Sequence, residues 1–130
     1  MLIALRRLLP KWEEGRQKSG YRIMTFINNS RFKFDMHLIQ YPTGSSIPPH
    51  KDKANFDQRH YRLNIEVKRP KVGGFFVVEK CIFRWWRIAL FRPDQCLHMV
   101  TPIEQGSRYV LSFGWLRAPA RQRLRDIKFD

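Results

Sequence analysis

A chain of 130 residues is long enough for one well-filled core and too short for two, so residues 1–130 are expected to form a single domain. Hydrophobic residues at 43% and aromatics at 14%, with 4 Trp and 10 Phe, exclude a disordered chain. The 25 Lys and Arg against 11 Asp and Glu leave a net charge of +14. Such a field draws in polyanions and acidic peptides, so nucleic acid is one fitting partner class and a solvated basic face matching an acidic protein is the other. The cations are scattered, with one modest cluster at Arg117, Arg121, Arg123 and Arg125 and no dense basic run.

At the start of the chain, Met1–Leu9 is apolar but interrupted by Arg6 and Arg7. It is too short to span a membrane and has the wrong charge order for a secretion signal, so it reads as a short amphipathic helix ended by Pro10. Glu13 to Gly20 is polar and turn-prone. From Tyr21 on, short runs of β-branched and aromatic residues alternate with Gly, Pro, Asn and Asp, the texture of an all-β chain. Strands are predicted at Tyr21–Ile27, Phe32–Tyr41, Tyr61–Val67, Gly74–Val78, Ile82–Phe91 and Arg108–Trp115. The clearest alternation sets Tyr61, Leu63, Ile65 and Val67 against Arg62, Asn64, Glu66 and Lys68. A second helical period is confined to Ala118–Ile127. Two packed antiparallel sheets or a jelly roll follow. Cys81 and Cys96 lack any CxxC spacing, which excludes a zinc-finger framework and fits a reducing cytoplasm, one disulfide being the alternative.

Four histidines are present, and only His50-Lys51-Asp52 forms a His-x-Asp pattern. In an extended segment the two side chains point to one side, roughly 6–7 Å apart at the backbone, so an imidazole and a carboxylate can converge on one ion. A second histidine completes a facial triad with open positions, the donor set of non-haem Fe(II) oxygenases. His98 is the expected third ligand, because it lies between the break at Arg92-Pro93-Asp94-Gln95 and that at Thr101-Pro102, near a strand end. His37 lies inside a strand and His60 stands beside Arg59; His60 is the minor rival.

Arg108 opens the last predicted strand, ten residues after His98, and shares a face with Val110, Ser112 and Gly114. A guanidinium heading a face of small residues can clamp a carboxylate through two parallel hydrogen bonds, the alternative being a surface cation at a strand start.

Together these residues resemble the Fe(II)- and 2-oxoglutarate-dependent dioxygenase superfamily. Tyr41-Pro42-Thr43-Gly44 followed by Pro49-His50-Lys51-Asp52 resembles the prolyl-hydroxylase pattern, as do Leu63-Asn64 with Gly73-Gly74 and His98 to Pro102 with Gly106-Ser107-Arg108. The order and gaps agree from about Phe34 to Trp115. Asn55, Arg59 and His60 to Leu63 echo the aspartyl/asparaginyl β-hydroxylases, from which Asp52 is a departure. Arg62 stands where prolyl hydroxylases often carry a tyrosine, and Ile39 where nucleic-acid demethylases carry an asparagine.

The resemblance implies a double-stranded β-helix (a jelly roll) whose mouth holds Fe(II) on His50, Asp52 and His98. It implies 2-oxoglutarate as cosubstrate, its far carboxylate paired with Arg108, with Tyr41 as a phenolic hydrogen bond and Arg62 as a further anchor. Tyr41 as a packed strand-end tyrosine is the alternative. Ascorbate is the accessory reductant the resemblance admits. The implied activity is hydroxylation of an unactivated C–H bond of a protein or peptide side chain, with O2 consumed and succinate and CO2 released. Oxidation of a nucleic-acid base and a non-catalytic basic jelly-roll binding module are the alternatives. With little chain left to cover the major sheet, a homodimer is a further expectation.

Overall fold

The computed structural model describes residues 10–53 and 58–117. The predicted helix at Met1–Leu9, the helical stretch Ala118–Ile127, Asn55 and the arginines 121, 123 and 125 lie outside the described residues. Among the described residues there are twelve strands: β1 Trp12–Glu14, β2 Arg22–Asn29, β3 Phe34–Tyr41, β4 Ile47–His50, β5 Arg59–Lys68, β6 Val72–Gly73, β7 Phe76–Val78, β8 Cys81–Trp85, β9 Ile88–Phe91, β10 His98–Val100, β11 Ile103–Gln105 and β12 Arg108–Arg117.

Seven of these strands form the major sheet, in the order β1-β2-β3-β12-β5-β9-β8. A three-stranded sheet β4-β10-β7 and a two-stranded sheet β11-β6 complete the architecture. Every pairing is antiparallel. The last strand, β12, inserts between β3 and β5, so chain order and sheet order part company as they do in a jelly roll.

Along β12 burial alternates strictly: Arg108, Val110, Ser112 and Gly114 are buried, and Tyr109, Leu111, Phe113 and Trp115 are only half-buried. On β5 the register sets Arg62 opposite Gly114, Asn64 opposite Ser112 and Glu66 opposite Val110. The polar face of β5 therefore looks inward and its apolar face outward, the reverse of an ordinary half-buried strand. That inversion gives the molecule a polar interior.

Apolar packing concentrates in Tyr21, Tyr41, Val100, Ile103 and Val110, with Ile23, Ile39, Ile47 and Phe76 against them. Each large side chain fully buried here contributes about 1.5–3 kcal/mol. Two glycines are forced by this packing. Gly74 has φ +68°, and a side chain there would collide with Ile103 at the β6–β7 turn. A side chain at Gly114 would strike the Arg62 guanidinium and the Asp35 carboxylate, so glycine opens the path by which those two residues meet across β12.

Several predicted boundaries shift. Ile82–Phe91 is a hairpin rather than one strand, folding back at Trp86 and Arg87 so that Trp85 pairs with Ile88. The third strand begins at Phe34 because Asn29 Oδ1 accepts from the Arg31 and Phe32 amides and Lys33 takes φ 51°, which makes a turn of that stretch. The polar stretch after Pro10 contains β1, whose register with β2 pairs Trp12 with Met24. Strand β4 carries Pro48 and Pro49, tolerated because it is the edge of its sheet.

Candidate metal centre

His50 and His98 face each other across the β4–β10 pair. Their rings lie 4.2 Å apart between centroids. His50 Nδ1 is 2.9 Å from the Pro48 carbonyl and His98 Nδ1 is 3.0 Å from the Cys96 carbonyl. A carbonyl can only accept, so each Nδ1 carries a proton, and the neutral ring of that tautomer offers its lone pair at Nε2. Asp52 Oδ1 lies 3.2 Å from His50 Nε2 and 3.8 Å from His98 Nε2. The three donor atoms all fall within 4.8 Å of one another. Two imidazole nitrogens and one carboxylate oxygen on a common point form a 2-His-1-carboxylate set, and backbone acceptors hold both Nδ1 atoms as second partners of metal ligands commonly do.

The local chain builds this convergence. The Asp52 amide donates to the Pro93 carbonyl at 2.8 Å, tying the end of the His-x-Asp segment to the turn that precedes His98. That turn is closed by the Gln95 and Cys96 amides on the Arg92 carbonyl and by an Arg92–Asp94 ion pair of 2.6 Å. His98 is 9% exposed and packs its ring against Phe91. Burial pushes its imidazole below the usual histidine range, partly opposed by the Cys96 carbonyl and Asp52. At neutral pH it is held in the uncharged, metal-binding form.

The triad opens into a cavity of about 710 Å³ that Tyr41, His60, Arg62, Asn64 and Ser112 also line. Arg62 donates to Asp35 at 2.9 and 3.1 Å and to Ser112 Oγ at 2.8 Å, while Ser112 donates to Asn64 at 2.6 Å. His60 sits 3.4 Å from Arg62 and is outside the donor set; burial and the neighbouring guanidinium lower its pKa. His37 is engaged by Thr25 and Asp35. Of this network Arg62, Asn64 and His60 stood out in the sequence, His60 as the minor rival for the metal. Asp35 is betrayed by no local pattern, although its register opposite Gly114 places it over the one gap in the β12 face.

Arg108 is placed differently. It is 3% exposed, and its Nε donates to Glu66 Oε2 at 2.7 Å. Its guanidinium lies 5.1 Å from the centre of the Tyr41 ring. Tyr41 is 3% exposed and stacks on Tyr21, and burial pushes its phenol up to about 12 although Arg108 opposes the shift. His50, Asp52, His98, Arg62 and Tyr41 thus share one cavity, whereas Arg108 and Glu66 line an adjoining cleft that meets it at Asn64 and Phe76.

Burial alone would raise the Asp35 pKa, but the His37 hydrogen bond and the Arg62 guanidinium bring it down to about 2. A carboxylate depressed in the folded state stabilises the fold above its unfolded pKa, and that contribution is lost as pH falls toward the folded value. Asp35→Asn is expected to cost about 2 kcal/mol at neutral pH. Urea unfolding measured against pH should show the variant losing less stability than wild type between pH of about 4 and 2; parallel curves would contradict the assignment.

No family model matches the chain, and no curated protein matches it by sequence. Solved structures do match by shape. A prolyl-4-hydroxylase from Pseudomonas putida superposes with a TM-score of 0.61 at 16% identity, covering 85% of this chain and 79% of that one. The Cnp3 cupin domain of Schizosaccharomyces pombe gives 0.59 at 10% identity, covering 92% and 77%. The viral collagen prolyl hydroxylase of Paramecium Bursaria Chlorella virus-1, solved as its 2OG complex, gives 0.55 at 15% identity, covering 80% and 83%. The chain therefore has the jelly-roll fold that prolyl hydroxylases and cupins share, with a His-Asp-His group inside it.

Proposed function

We propose that this protein is an Fe(II)- and 2-oxoglutarate-dependent dioxygenase that hydroxylates an unactivated C–H bond. The observation that carries the reading is the convergence of His50 Nε2, Asp52 Oδ1 and His98 Nε2, with each imidazole donating from Nδ1 to a backbone carbonyl. The donor set fits a facially bound Fe(II), with open positions for a chelating cosubstrate and O2. When bound, the metal supplies the oxidising chemistry, which couples decarboxylation of 2-oxoglutarate to insertion of one oxygen atom into the substrate.

The chain's own part is to hold and enclose. Asp52 neutralises part of the metal charge, and the two carbonyls behind the histidines fix their rings. Arg62 presents a guanidinium in the same cavity and is the more accessible anchor for the cosubstrate's far carboxylate; Arg108 serves that role once Glu66 yields it. Tyr41 contributes a phenol that burial keeps protonated. The two prolyl hydroxylases among the structural neighbours favour a protein or peptide side chain as substrate. The charge of +14 favours an acidic one. Cytoplasmic placement belongs to the same proposal and rests on the free thiols Cys81 and Cys96. The cupin neighbour keeps a metal-holding binding module as the second reading.

Anaerobic titration with Fe(II) and then 2-oxoglutarate separates the two readings. A weak visible charge-transfer band that requires both additions, and succinate formation on admitting O2, are expected. Metal binding without that band would leave the binding module.

A further inference from the structure

A second cleft, of about 640 Å³, is lined by Glu66 and Arg108 and adjoins the triad cavity at Asn64 and Phe76, and none of the triad residues lines it. Its wall carries Arg69, Lys71, Arg84 and Arg87 together with the exposed rings of Phe75 and Trp86. The carboxylate of Glu66 is taken up by Arg69 and Arg108. Arg84 donates to the Phe76 carbonyl at 3.0 Å and Arg87 to the Val67 carbonyl at 3.2 Å. Both acceptors are neutral carbonyls, and neither guanidinium is paired with a carboxylate among the described residues. Arg87 also has a buried Nε with no hydrogen-bond partner among the described residues, an unmet donor in a residue lining the cleft.

Trp86 stands at the first position of the two-residue β8–β9 turn with φ 50° and is 68% exposed. Glycine is the low-cost residue at a positive φ in such a turn, and a bulky aromatic there is strained. Neither burial nor turn chemistry explains the indole. The Arg87 guanidinium covers one face of its ring at 4.9 Å from the centroid. A strained, exposed ring backed by a cation, with Lys71, Arg84 and Arg87 held by no carboxylate among the described residues, has the parts of a stacking site for a base with its phosphate held alongside.

We propose that this cleft binds single-stranded nucleic acid, a base stacking on Trp86 and the backbone phosphates engaging Arg84 and Arg87. The carboxylates of an acidic peptide would engage only the cations, whereas every nucleotide of a single strand brings a phosphate for the cations and a base for the exposed rings. The charge of +14 supplies the long-range attraction. The inference stands whether or not the triad performs oxidation.

The test is anisotropy of a labelled oligothymidylate with the full chain, across a salt series. Trp86→Gly removes the ring and relieves the backbone strain. It is expected to raise the unfolding temperature while weakening binding roughly tenfold, within the range found for a lost base–aromatic stack. Arg84→Ala/Arg87→Ala should weaken binding by at least as much and reduce the log–log salt slope by roughly 1 to 2. Lys11→Ala/Arg22→Ala, which removes the same charge from exposed positions elsewhere, should leave affinity within about twofold. The proposal is overturned if wild type does not bind, if Trp86→Gly binds as wild type does, or if the two double variants lose equally. Displacement of the labelled strand by polyglutamate as efficiently as by unlabelled strand would overturn it in favour of an acidic peptide.

Discussion

His98→Ala is expected to abolish both tight Fe(II) binding and turnover. The triad offers one donor atom per residue, and two donors no longer close a face around the ion. Loss of an outer partner alone costs about 10–100-fold in metal affinity, so loss of a ligand should exceed about 100-fold. The readout need not be activity. Metal at 100 times its dissociation constant stabilises the folded state by about 2.7 kcal/mol, so Fe(II) should raise the unfolding temperature of wild type by several degrees and leave that of His98→Ala unmoved. Fe(II) stabilising the variant as much as wild type would remove His98 from the centre. His60→Ala is the control, because His60 lines the same cavity outside the donor set; it should keep the metal-induced shift.

The grouping of His50, Asp52 and His98 was legible because the three residues carry their own local signals. His-x-Asp needs only an extended backbone, and the turn residues around Pro93 and Pro102 bracket His98. The face shared by Arg108, Val110, Ser112 and Gly114 was equally readable, since period-two alternation survives whatever the strand pairs with. What packs against that face was not. Glu66 meets Arg108 through the register of β5 on β12, and Asp35 meets Arg62 through that of β3. Register is fixed by pairing between segments far apart in sequence, which no local window contains.

The hairpin at Trp86 and Arg87 was missed for a different reason. Turns are recognised by residues that suit them, and a tryptophan at positive φ contradicts that chemistry. Local rules break most often where function demands it. The same holds for β5, where Arg62, Asn64 and Glu66 face inward although hydrophobicity alone would turn that strand over.

The pairing of Arg108 with Glu66 sets up the second large effect. If Arg108 holds the far carboxylate of 2-oxoglutarate, Glu66 is its internal competitor, and Glu66→Gln should lower the cosubstrate concentration needed for half-saturation several-fold. Arg108→Leu by itself is a poor test, because it leaves the half-buried Glu66 with only the exposed Arg69 and is expected to cost about 3–5 kcal/mol of stability. Replacing both partners, Arg108→Leu with Glu66→Leu, removes the ion pair without stranding a charge and should be close to neutral for folding. In that background the loss of charge-assisted hydrogen bonds worth about 1.5–3 kcal/mol predicts cosubstrate binding weakened by roughly 10–150-fold, with Fe(II) binding intact. If the double variant binds 2-oxoglutarate as wild type does, the anchor is Arg62, whose guanidinium already shares the cavity with the triad. The same titration on Arg62→Leu/Asp35→Leu would then show the loss, since Asp35 is to Arg62 what Glu66 is to Arg108.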